Sequence, residues 1–90
     1  MEFQYDLEKS EGNRAKHGID FEEAKELWED DARLVVPARS DSEPRWAILA
    51  RHRGKVWAAF YTLRGNHVRL ISVRQARPNE KNMYEGRRTG

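Results

Sequence analysis

The sequence predicts a small α+β fold: one strand, two helices, four further strands and a closing helix, built around one small antiparallel sheet. Two observations carry that expectation. Up to about residue 31, apolar side chains recur at helical spacing behind capping residues; from residue 33 onward the period changes to two. In addition, no repeat, low-complexity tract or Pro/Gly-rich linker interrupts the 90 residues, so a single domain over 1–90 is expected. Its core should be thin, because a chain this short buries only about 60–65% of its unfolded surface.

Phe3-Gln4-Tyr5 alternates apolar and polar residues and reads as the first strand. Asp6 is placed to cap a helix starting at Leu7, and Gly18 to stop it in the left-handed conformation. The body of this helix is poor in apolar residues and contains Gly12 and Asn13, both weak helix formers. Asp20 and Glu23 have the spacing of a capping box for the second helix, with Ile19 stapling onto Ala24. Phe21, Ala24, Leu27 and Trp28 then share one face. Glu29-Asp30-Asp31 sits badly at the negative end of the helix dipole and marks its end. Residues 33–37, 45–51, 55–63 and 67–75 read as strands, with tight turns at Arg53-Gly54 and Gly65-Asn66. The last three form an antiparallel meander with apolar residues on both faces, so the sheet is covered on both sides at least in part. Pro78 opens a short helix over 79–84, followed by a polar tail at 86–90 expected to fray.

Composition narrows the function. The chain lacks cysteine, which removes disulfides and thiolate metal sites. Its apolar runs fall far short of the roughly 18 residues a membrane span needs. The start, Met1-Glu2-Phe3-Gln4, has no secretion-signal pattern, and a cytoplasmic protein is expected. The net charge of +2 hides a strong asymmetry. Residues 1–44 carry 6 Lys/Arg against 13 Asp/Glu, a balance of −7, whereas residues 45–90 carry 11 against 2, a balance of +9. The basic half suits a polyanion, and 9 of its 11 cations are arginine, whose planar fork matches phosphate. Charge pairing between the two halves, within one chain or in a homodimer, would explain the same asymmetry.

No nucleotide-binding glycine motif, GxSxG turn or metal-ligand spacing is present; His17, His52 and His67 are not gathered with carboxylates, and no metal or cofactor is expected. What remains is a concentration of arginines on strands. Arg64 ends one strand, while Arg69 and Arg74 lie on its neighbour. Such a group can clamp a phosphate and stabilise transition-state charge; it can equally guard a sheet edge against aggregation. Arg69 and Arg74 have opposite parity, so either a bulge realigns them or only one of them joins Arg64. Lys16-His17-Gly18 can contact phosphate and move a proton, or simply satisfy the end of a helix. His52 and His67 read as solvated, Glu80 as a favourable charge at a helix start, and Trp46, Trp57 and Tyr61 mostly as core.

These residues also carry a resemblance. Tyr5-Asp6, Asn13, Lys16-His17-Gly18-Ile19 with Phe21 and Ala24, then Glu43-x-Arg45, Tyr61-Thr62-x-Arg64 and the run from Val68 through Arg74 to Ala76 resemble the BrnT toxin family. Glu80 and Tyr84 fit its closing helix. The resemblance implies a RelE-like fold and a type II toxin that cleaves RNA without metal or organic cofactor and stops translation. It implies a BrnA-like antitoxin partner with a DNA-binding region, the complex repressing its own operon. It also implies a site made of Lys16, Arg64, Arg69 and Arg74 for phosphate and His17 as acid or base. Arg77 and Lys81, in the basic half, are expected as further RNA contacts. Two departures stand out: Tyr5 replaces the usual Trp, and Ala50 a common Gly.

Overall fold

The computed structural model describes residues 1–89, with side chains through residue 86. The chain runs β1 (Glu2–Gln4), α1 (Leu7–His17), α2 (Phe21–Ala24) continuing as a 3₁₀ segment (Lys25–Glu29), β2 (Leu34–Ala38), β3 (Arg45–His52), β4 (Lys55–Arg64), β5 (His67–Gln75) and α3 (Pro78–Thr89). This is the element order expected from the sequence.

Both ends of α1 are fixed by the residues expected to fix them. Asp6 Oδ1 accepts from the backbone N–H of Glu8 at 2.8 Å and of Lys9 at 3.1 Å. Gly18 adopts φ 80°, and its N–H donates to the Arg14 carbonyl. The helix buries Ser10 and Asn13 rather than an apolar stripe, and it is held by their hydrogen bonds. Ser10 Oγ accepts from Phe21 N–H at 2.9 Å. Asn13 Nδ2 donates to the Ile19 carbonyl at 2.7 Å, and its Oδ1 accepts from Val73 N–H at 3.1 Å. That last bond serves β5 beyond Arg69, where β1 pairing ends.

Only half of the expected capping box forms at α2. Asp20 accepts from Glu23 N–H at 2.8 Å, but the Glu23 carboxylate turns instead to His52 Nε2 at 2.7 Å and Arg53 at 3.4 Å. Two donors on the β3–β4 turn outcompete one solvated backbone N–H. His52 is therefore partnered and mostly buried, not solvated as its position suggested. The helix tightens to 3₁₀ after Ala24 and ends at Glu29, before Asp30 and Asp31, as the dipole argument required.

The sheet has the order β1-β5-β4-β3-β2. β2 to β5 are antiparallel, as expected, whereas β1 pairs parallel with β5, making the sheet mixed. Strand periodicity carries no information about that partner; the pairing places Phe3 opposite Val68 and edge-to-face with Trp28, ring centroids 5.0 Å apart. The two tight turns are where Gly predicted them. Arg53 (φ 53°) and Gly54 (φ 78°) both take positive φ, the type I′ pattern, and Gly65 (φ 60°) leads a II′-like turn. Pro37 lies in β2, an edge strand, where a missing N–H is tolerated.

One face of the sheet packs Ile48, Ala50, Trp57, Ala59, Tyr61, Val68, Leu70 and Val73 against Ile19, Phe21, Ala24 and Leu27. Burying the Ile, Leu, Val and Phe side chains among them contributes about 1.5–3 kcal/mol each. The other face packs Leu49, Val56 and Ala58 against Tyr84 of α3. Tyr84 is fully buried, and its hydroxyl donates to Asp30 Oδ2 at 2.6 Å. With that anchor midway, α3 continues past the expected end at Tyr84 through Thr89, so the tail over 86–89 is helical rather than frayed; Gly90 lies outside the described residues. Among the described residues no helix is long and apolar enough to cross a membrane.

Candidate active site

A bulge in β5 decides which arginines share a face. Phe60 pairs with Ser72 and Tyr61 with Leu70, so Ile71 is the extra residue and strand parity reverses there. Val68 and Leu70 before the bulge and Val73 after it consequently enter the same core. By the same reversal Arg69 and Arg74 emerge together on the second face: Arg69 opposite Thr62, Arg74 opposite Ala58. Arg64 lies on this face as well, at the end of β4 opposite His67. Of the two arrangements the parity left open, the bulge is the one found.

Arg64 and Arg69 are diagonal neighbours across β4 and β5, a relation that sets Cα atoms about 7–8 Å apart. Arg64 donates to Glu43 Oε1 at 3.1 Å on an exposed rim. Arg69 is half-buried, and no hydrogen bond or ion pair to its side chain is present among the described residues. Arg74 stands apart in its bonding. Its guanidinium holds both oxygens of Glu80, at 2.7 and 3.0 Å, and lies 4.9 Å from the centroid of the Phe60 ring. Glu80, in the first turn of α3, also accepts from Arg77 N–H at 2.8 Å. The Arg74 hydrogen bonds, helped by that backbone bond, hold the Glu80 carboxyl below its ordinary value against the opposing effect of burial. A carboxylate so held is a poor general base and a good orienter of Arg74.

The α1 residues sit elsewhere. Asn13 and Ser10 turn to the first face, while Lys16 is exposed and His17 half-buried one turn further on. Among the described residues no hydrogen bond or ion pair links either to Arg64, Arg69 or Arg74. Arg77 and Lys81 are exposed at the start of α3. The motif around Lys16 has a clear structural use instead: Asn13, Gly18 and Phe21 supply the bonds and the turn that fix α1 to α2 and β5. Tyr5 is likewise structural, edge-to-face with Phe21 and donating to Glu22 Oε1 at 2.6 Å.

An acidic depression borders the second face beside Tyr84 and Arg51. This depression, of about 550 Å³, is lined by Glu26, Glu29, Asp30 and Asp31 with Arg51 and Tyr84, a lining that repels phosphate despite its size. Arg64, Arg69 and Arg74 lie on β4 and β5, inside the sheet order. Among the described residues no three His, Asp or Glu side chains gather into a metal-binding set. Residues that sequence reasoning left out of the site are Phe60, which supports Arg74, Glu43, which pairs with Arg64, and Arg45, which shares their face. The spacing Glu43-x-Arg45 was visible, but only the register showed where it points.

The model of a family described as the ribonuclease toxin BrnT of type II toxin–antitoxin systems matches residues 5–80. The chain belongs to the BrnT toxin family. No individually curated protein matches the chain. As a BrnT-family member it is a ribonuclease toxin, with RNA as target and an antitoxin as partner. The matched span runs from Tyr5 to Glu80, so it takes in α1, the whole of β2 to β5, and the carboxylate that holds Arg74.

Proposed function

We propose that this BrnT toxin is a metal-independent endoribonuclease that cuts single-stranded RNA on the second face of its sheet. The observation that carries the reading is the Ile71 bulge, which turns Arg69 and Arg74 to the side of Arg64. In the reaction the ribose 2′-oxygen bonds to the adjacent phosphorus and the bond to the 5′-oxygen breaks. The 2′-hydroxyl gives up its proton and the leaving 5′-oxygen gains one, yielding a 2′,3′-cyclic phosphate and a 5′-hydroxyl. Arg64 and Arg69 hold the phosphate and stabilise the charge that builds on it, a role worth roughly 2.7–4 kcal/mol per donor. Arg74, locked by Glu80 onto Phe60, fixes the far side of the site. The roles of Lys16 as a phosphate contact and His17 as the proton carrier rest on the family resemblance; Arg77 and Lys81, both exposed, add further RNA contacts.

In this reading the protein works in the cytoplasm and stops translation. A BrnA-like antitoxin silences it, and the complex binds operator DNA. The chemistry is tested by replacing the ribose at the cut site with 2′-deoxyribose. Cleavage at that position disappears if the 2′-oxygen attacks, and persists if water or hydroxide does. A second reading, RNA held without cutting, draws on the neutralised state of Arg74. It predicts salt-sensitive retention of RNA with no product at any protein concentration.

A further inference from the structure

Arg45 is the unexplained cation of this face. It pairs with Ala38 in β2, and the register continuing one residue from Trp46–Tyr61 sets it beside Thr62 of β4. Thr62 in turn pairs with Arg69, so Arg45 and Arg69 flank the same residue from two strands away, about 10 Å apart at the backbone. Arg64 is two residues along β4 from Thr62. The three arginines therefore surround Thr62, which is 2% exposed and whose hydroxyl is committed to the Pro44 carbonyl at 2.7 Å. Within this triangle the only ion pair among the described residues is Arg64 with Glu43.

The Nε of Arg45 is buried and has no hydrogen-bond partner. A buried donor left unmatched is costly. Three cations around one neutral threonine add mutual repulsion. Edge protection does not account for the position, because β3 lies between β2 and β4. Arg45 has no ion pair among the described residues, and an anion at its guanidinium supplies that counter-charge and offsets the repulsion. The structure assigns Arg45 as a third phosphate-binding arginine, taking the RNA phosphate next to the one held by Arg64 and Arg69. This rests on the ribonuclease reading of the same face and extends it: the substrate must carry a flanking phosphate to be held fully.

Arg45→Met keeps the aliphatic stem and removes the charge. Binding is measured on a 2′-O-methyl oligonucleotide, which cannot be cut, so the result does not depend on catalysis. The log of its association constant against log salt should lose about 0.7 in slope, the share of one phosphate contact on a single strand. On cleavable RNA, KM should rise on the order of tenfold for an oligonucleotide, with kcat little changed and no effect on a dinucleoside monophosphate. The melting temperature should equal or exceed that of the parent. A slope equal to the parent's overturns the assignment, as does equal loss on the dinucleoside monophosphate. Arg45→Gln reads the same slope if the apolar replacement disturbs folding. If the parent cuts no RNA at all, the ribonuclease reading fails while the slope still decides the role of Arg45.

Discussion

The Arg74 guanidinium grips both carboxylate oxygens of Glu80 while lying over the Phe60 ring, joining α3 to the arginine-bearing face of the sheet. Glu80 simultaneously accepts the Arg77 N–H, so one carboxylate serves a helix start and an arginine.

Glu80→Gln should therefore destabilise the fold by roughly 1.5–3 kcal/mol, the value of charged hydrogen bonds with little solvent screening. The pair also predicts a pH dependence. The folded-state pKa of Glu80 is lowered, so its contribution is present above the ordinary carboxylate value and is lost as pH falls through the lower folded value. Denaturant melts between pH 7 and pH 3 should show a stability loss in the parent that is smaller in the Gln variant.

Asn13→Ala removes two buried hydrogen bonds at once and leaves the Ile19 carbonyl and the Val73 N–H unmatched. A loss of about 2–4 kcal/mol is expected in urea unfolding. RNA cleavage per folded molecule should be unchanged, which separates the structural use of this motif from a catalytic one.

Much of the fold was legible in local sequence. Asp6, Gly18 and Asp20 each act through neighbours two to four residues away and Gly54 through its own positive φ, and each does what its position indicated. Features that depend on distant partners were not legible. Glu23 is drawn from its cap to His52, 29 residues on, and β1 finds β5 across almost the whole chain. The candidate site divides in the same way. Arg64, Arg69 and Arg74 stood out as strand arginines, and their parity raised the bulge as one of two outcomes. Only the pairing of Phe60 with Ser72 and Tyr61 with Leu70 locates it at Ile71. Arg45 was visible as a motif residue but gave no sign of lying on the same face, because strand parity cannot say which face faces α3.

Glu43 occupies Arg64 on the rim of the site and competes there with phosphate. Glu43→Gln should strengthen RNA binding a few-fold at low salt, with the gain shrinking as salt screens the exposed pair. Fluorescence anisotropy at two ionic strengths measures this directly. Weaker binding would mean that Glu43 positions Arg64 rather than masking it.

The central claim is that Arg64 and Arg69 do the phosphate chemistry. Its most direct test is the cleavage rate of purified Arg64→Ala, Arg69→Ala protein beside the parent, in the presence of chelator, with folding checked by circular dichroism. A parent that cuts RNA to 2′,3′-cyclic phosphate ends, and a folded double variant slowed at least 10²-fold, is the predicted result. A folded double variant that cuts as fast as the parent would contradict it.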